Sequence, residues 1–81
     1  MNWNEELKRV RTNRNLLKSK LALVGMSEKK LAEAADISYA AYNKKIVGKV
    51  YFTVKDIFKI AKVLSLTGED IVEIFFSEVE E

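Results

Sequence analysis

The sequence predicts an all-α domain, a compact bundle of about five helices. Three observations predict it. Apolar residues recur at helical steps of three and four, and no segment alternates as a half-buried strand would. The pattern Thr-x-x-Asp, which caps helix starts, occurs at Thr53–Asp56 and again at Thr67–Asp70. The 81 residues contain no Pro and three Gly, each placed where a helix should end or begin.

Each element follows from local signals. Trp3, Leu7, Val10, Arg14, Leu17, Leu21 and Val24 share one helical face. They form either one long helix or two, with a break near Thr12 or Asn13, either of which can cap the second. A coiled-coil seam is weakened by Arg14 within it. Leu17, Leu21 and Val24 are assigned to the core, and Trp3, Leu7 and Val10 to a second surface. Gly25 closes this helix and Ser27 caps the next. That helix spans Ser27 to Ala35, with Leu31, Ala32 and Ala35 facing inward. Asp36-Ile37 is a turn. Ser38 opens a helix running to about Val47, ended by Gly48, and residues 49–52 are a loop. Thr53 caps a helix whose apolar face is Val54, Ile57, Phe58, Ala61 and Leu64. Thr67 caps the last helix, containing Ile71, Val72, Ile74, Phe75, Phe76 and Val79. The whole chain, 1–81, is expected to be one domain. Residues 1–14 are a candidate helical extension and residues 67–81 a candidate dimerisation helix with an acidic end.

Composition narrows the function. The chain has no Cys and no His, which removes thiolate metal sites, the commonest metal ligand and the commonest general base. It has no phosphate-cradling glycine loop and no evident pair of carboxylates in a cleft. An enzyme is therefore the least expected class, with no cofactor, no metal and no small-molecule substrate. No apolar run approaches the roughly 18 residues of a membrane span, and no signal-peptide core is present. The expected setting is the cytoplasm, with no membrane partner. Charge is segregated. Residues 1–62 carry 14 basic and 6 acidic side chains, while residues 63–81 carry 6 acidic and no basic ones. A basic body with an acidic end suits a polyanionic partner.

The stretch Leu31 to Lys49 concentrates the requirements of two helices crossing tightly through a short turn. Ala32 is small enough for close approach. Asp36 tolerates positive φ better than most residues, though less well than Gly. Ile37 can plug the space between the helices and Ser38 can cap the second. Tyr42 and Ile46, four apart, can anchor that helix. Tyr39, Ala40, Asn43 and Lys44 then fall toward its exposed side and leading end.

This spacing resembles the helix-turn-helix of the Cro/cI-type phage repressor family, also called XRE-like. The resemblance continues through "FTVKDIFKIAKVLSLTGEDIVEIFF" (Phe52 to Phe76) and back through "NLLKSKLALVGMSEKKLA" (Asn15 to Ala32), so it covers residues 15–76. It implies a lambda-repressor-like bundle that binds double-stranded DNA as a transcriptional regulator, with the helix from Ser38 to about Val47 in the major groove. Carried over by position, the base readers are Tyr39, Ala40, Asn43 and Lys44. Asn suits adenine N6 and N7, Lys suits guanine O6 and N7, and Ala40 suits a thymine methyl. Lys29, Ser38, Lys45 and Lys49 are candidate phosphate contacts. The family's operators are near-palindromic and read by two-fold dimers, which makes Ile71, Ile74, Phe75 and Phe76 a candidate homodimer interface. A bacterial or phage-encoded, Cro-like repressor is the implied setting.

The chain departs from the family pattern in four places. Asp36 stands where Gly is usual. Glu28 stands where Gln or Thr is usual, and a carboxylate there would repel a phosphate. Tyr42 is larger than the usual aliphatic plug. Lys45 occupies a position that is often apolar. A protein-interaction adaptor or antitoxin built on the same fold is the alternative, favoured by Glu28 and by the acidic last helix.

Overall fold

A computed structural model of the chain describes residues 10–78. Five helices follow in order: α1 (Arg14–Leu23), α2 (Glu28–Ala34), α3 (Tyr39–Ile46), α4 (Val54–Leu64) and α5 (Gly68–Phe75). Two short extended pieces, β1 (Val10–Arg11) and β2 (Ser77–Glu78), flank the bundle. They pair antiparallel, with Val10 opposite Glu78 and Arg11 opposite Ser77.

Every helix starts on a side chain that satisfies an otherwise unpaired backbone N–H. Asn13 accepts from Leu16 N, Ser27 from Lys30 N and Ser38 from Ala41 N. Thr53 and Thr67 form full capping boxes, with Asp56 and Asp70 reaching back to the threonine N–H groups. The first helix thus begins at Arg14 behind an Asn13 cap, which is the two-segment reading of the N-terminal face. The segment before it is not helical as expected at Val10 and Arg11. These residues are extended, because their backbone pairs with β2 and because Asn13 N donates to Ile74 O at 2.6 Å. Trp3, Leu7 and Val79 lie outside the described residues.

Four helices close through a residue with positive φ: Gly25 (67°), Asp36 (55°), Gly48 (87°) and Ser65 (52°). At α1, Gly25 N bonds Ala22 O and Met26 N bonds Leu21 O. At α2, Asp36 N bonds Glu33 O and Ile37 N bonds Ala32 O. At α3, Gly48 N bonds Lys45 O and Lys49 N bonds Lys44 O. These paired bonds are Schellman closures, which satisfy the last carbonyls and turn the chain sharply. Asp36 therefore does adopt the left-handed conformation its position demands.

The core lies where α1, α2, α3, α4 and α5 converge. Leu17, Leu21, Leu31, Ala32, Ala35, Ile37, Tyr42, Ile46, Ile60, Ile74 and Phe75 are buried in one cluster. α1 packs on α2 and α5, α2 on α3 and α4, and α4 on α5. Phe52, in the loop before α4, links two layers edge-on. Its ring centroid is 6.0 Å from that of Tyr42 and 5.5 Å from that of Phe75, a geometry that suits the aromatic quadrupole.

Three sequence expectations about the core need correction. Val24 is exposed, because the chain reverses at Gly25 and brings Met26, rather than Val24, onto the core. In α4, Val54 and Phe58 are 83% and 66% exposed, while Ile60 is fully buried. The inward stripe is Ile57, Ile60, Ala61 and Leu64; Val54 and Phe58, four apart, lie on the outer one. In α5, Ile74 and Phe75 are consumed by the protomer's own core, so neither is available to a second copy. Contrary to the sequence expectation, these two residues do not form a dimer interface. Ile71 is half-buried against the core, and Val72 and Phe76 are the exposed apolar residues of that helical region.

Candidate nucleic-acid interface

The surface of interest is built on α2, the turn after it, and α3. Ala32 is 1% exposed at the point where α2 meets its neighbours, and Ile37 fills the space beneath the turn. Ser38 then sets the start of α3. Tyr42 and Ile46 point inward and are buried. Helical geometry leaves the opposite stripe outward, and Tyr39, Ala40, Asn43 and Lys44 are all exposed on it. Tyr39 is steadied by stacking on Tyr42, with centroids 6.3 Å apart and planes 16° apart. The two tyrosines thus divide between surface and core.

Glu28, the first residue of α2, is not a bare carboxylate. Its Oε1 accepts from Arg14 Nη2 at 3.0 Å and from Arg14 Nε at 3.3 Å, and its Oε2 accepts from the Tyr42 hydroxyl at 2.6 Å. Partial burial pushes the Glu28 pKa up, but the Tyr42 and Arg14 hydrogen bonds outweigh it and hold the carboxyl below its ordinary value. The Tyr42 hydroxyl is pushed well above its ordinary pKa, first by burial and then by its bond to Glu28. Arg14 is raised by its hydrogen bond to Glu28 and by the charge of that group. Sequence reading missed this triad. Its members are 14 residues apart on three different helices, and no local pattern links them.

The lysines separate into two groups. Lys45 lies beside Asp56, forming an ion pair in which both side chains are largely buried. Lys45 was a candidate phosphate contact; its ammonium is instead committed to the carboxylate that caps α4, which corrects that assignment. Partial burial works to raise the Asp56 pKa, and the Lys45 bond, with those from Thr53, holds it below the ordinary value. Lys29, Lys44 and Lys49 are exposed and make no ion pair among the described residues. Ser38 is exposed, and its hydroxyl accepts from Ala41 N as the cap. Arg11 also reaches this region. Its guanidinium lies over Gly48, where a Cβ would come within 2.9 Å of Nη1. That places a cation beside the C-terminal end of α3, where the helix dipole favours it.

Among the described residues, no group of three acidic side chains is placed to hold a metal ion, and no helix is long and apolar enough to cross a membrane.

A helix-turn-helix family model matches residues 17–71, more than half of the chain. Comparisons with curated proteins and with solved structures find no match. The matched span holds all of α2, the turn, α3 and α4, and it contains Ala32, Ile37, Ser38 and Tyr42 in the roles described above. The chain belongs to the XRE-type helix-turn-helix family, as in the Cro and cI repressors, and is a DNA-binding transcription regulator of that family.

Proposed function

We propose that the protein is a sequence-specific, Cro-like repressor that lays α3 in the major groove of a near-palindromic operator. One observation carries this reading. The outward stripe of α3 is exposed as a set, while Tyr42 and Ile46 anchor the helix from behind. Tyr39, Ala40, Asn43 and Lys44 are the base readers. Asn43 offers a donor and an acceptor to adenine, Lys44 donates to guanine, and Ala40 meets a thymine methyl. Lys29 and Lys49 hold phosphates on either side, and Ser38 fixes the leading end of the helix. The setting is the cytoplasm of a bacterium, with the gene in the host or a phage.

The protein acts as a homodimer, matching the two-fold symmetry of its site. Exposed Val72 and Phe76, with the accessible edge of Ile71, supply an apolar surface for a second copy.

The adaptor or antitoxin alternative drew on Glu28 as a phosphate-repelling carboxylate. Arg14 and Tyr42 occupy both of its oxygens, which removes that support.

Selection of bound sites from random duplex DNA tests the reading. The expected result is a pair of similar half-sites and an affinity that falls with salt by roughly 0.9 log unit per log unit for each phosphate neutralised. Asn43→Ala should cost about 1–3 kcal/mol of discrimination at one base position, while Lys49→Ala should weaken all sequences alike. Identical behaviour of the two variants would overturn the base-reader assignment.

A further inference from the structure

The corner where α1, α2 and α3 meet carries more positive charge than its sequence suggests. Lys18, Glu28, Lys29 and Tyr39 line one surface groove, together with Leu21 and Met26. Arg14 stands at that corner through its bonds to Glu28. Lys18 acts electrostatically on Glu28 as well. The single carboxylate has both oxygens engaged, so Lys18 and Lys29 in the groove, with Arg14 beside it, surround one satisfied anion.

Arg14 is the best-organised of the three. Its side chain is 44% exposed, and two of its nitrogens engage Glu28. Nε and Nη2 both point at Glu28 Oε1, and Glu28 is itself fastened to the ring that anchors α3. A guanidinium is a planar fork of five N–H donors. With one edge held by Glu28, its remaining N–H groups have no partner among the described residues and open toward solvent. Tyr39, the leading residue of α3, lines the same groove. The cation is thus held in a fixed relation to the helix proposed to read the groove.

We propose that Arg14 is a DNA backbone-phosphate ligand, aimed by Glu28 and Tyr42 as positioning residues and flanked by Lys18 and Lys29. The inference rests on the reading of α3 as the groove-facing helix. It assigns Glu28 a role opposite to the one its charge implies. Glu28 favours binding of a polyanion by ordering the arginine, although its own charge opposes it. Because arginine is delocalised and presents two parallel donors to a phosphate, a lysine at this position restores the charge without restoring the geometry.

The test measures affinity for a duplex selected by the wild-type protein, over a range of salt. Arg14→Ala should weaken binding on the order of tenfold, equally for all sequences, and reduce the salt slope by about one. Arg14→Lys should keep the slope and recover only part of the affinity. The decisive comparison is Glu28→Gln in two backgrounds, since the amide oxygen can still accept from Tyr42. In the wild-type background it should weaken binding, because Arg14 is released. In the Arg14→Ala background it should strengthen binding, because only a repelling charge is removed. Strengthening in both backgrounds overturns the proposal, as does an Arg14→Ala variant with unchanged affinity and slope. Asn43→Ala run alongside separates the two readings: loss of discrimination there with no effect at Arg14 leaves the groove reading intact and defeats this one. Circular dichroism of each variant checks that the fold is kept.

Discussion

The Tyr42 hydroxyl donates to Glu28 Oε2 at 2.6 Å and so ties the anchoring aromatic of α3 to the first residue of α2. The bond spans the two helices that the Asp36 turn joins. Packing from Ala32 and Ile37 sets how closely the helices approach. The hydroxyl bond adds direction, which apolar contact lacks. A polar group this buried is stabilising only while its partner is present.

Tyr42→Phe should therefore cost about 1–2 kcal/mol of stability. The ring would keep its contacts with Tyr39 and Phe52. Tyr42→Ala should cost more, about 3–5 kcal/mol, because a cavity is added to the lost bond. Urea unfolding monitored by circular dichroism checks both, and a Phe variant as stable as wild type would show that the bond contributes nothing.

Asp56 serves α4 twice, as the reaching-back half of its capping box and as the partner of Lys45. Lys45→Met should lose only the ion pair, at about 1–3 kcal/mol. Asp56→Ala should lose the pair and the box together and rank below it in stability. Lys45→Met should leave the slope of DNA affinity against salt nearly unchanged, unlike Lys49→Ala. A parallel drop in slope would return Lys45 to the phosphate contacts.

Backbone conformation gives two substitutions of opposite sign. Asp36 holds φ at 55° without being glycine, so Asp36→Gly should stabilise by up to about 1 kcal/mol, the relief exceeding the added unfolded-state entropy. Gly25 holds φ at 67°, so Gly25→Ala should destabilise by about 1 kcal/mol although nothing lies within 4 Å of the new Cβ. Thermal midpoints measured together test the pair, and equal shifts in one direction would contradict it.

Acid should unfold the protein through its engaged carboxylates. Glu28 and Asp56 both sit below their ordinary values of 4.5 and 3.8 in the folded chain. A depressed folded pKa contributes stability that is fully present above the unfolded value and lost as pH falls through the folded one. Stability should thus be flat above about pH 5 and decline below about pH 4.5. Glu28→Gln should flatten the upper part of that decline, and Asp56→Asn the lower. Urea midpoints between these limits and strong acid test this; a Glu28→Gln profile parallel to wild type would remove Glu28 from the cause.

If Val72 and Phe76 cover a second copy, Phe76→Asp should yield a monomer that keeps its fold, because the side chain it replaces is half exposed. Sedimentation at tens of micromolar, with and without operator duplex, reports the state. A monomeric wild type on the operator would defeat the dimer.

Much of the fold is decided by short-range chemistry. Ser27, Ser38, Thr53 and Thr67 begin helices because a hydroxyl oxygen at that position satisfies a backbone N–H two or three residues on, and this needs no distant partner. Gly25, Asp36 and Gly48 end helices for an equally local reason, the steric tolerance of positive φ. Helical periodicity separated Tyr39, Ala40, Asn43 and Lys44 from Tyr42 and Ile46, and that outward stripe is exposed as the spacing implies. Local chemistry is enough to set the starts of these four helices, the three turns that follow α1, α2 and α3, and the helix-turn-helix, whereas the extended pairing of Val10 and Arg11 needs β2. Tertiary structure decided what the charges and the ambiguous apolar residues do. Lys45 and Lys49 are alike in sequence, but among the described residues only Lys45 meets a carboxylate, 11 residues away. Phe58 and Ile60 are both apolar in α4, yet their 2-residue offset sends one to solvent and one to the core. Glu28 reads as a misplaced anion until Arg14 and Tyr42 reach it from two other helices. Periodicity gives a face its direction, whereas ion pairs and burial depend on which faces the chain brings together.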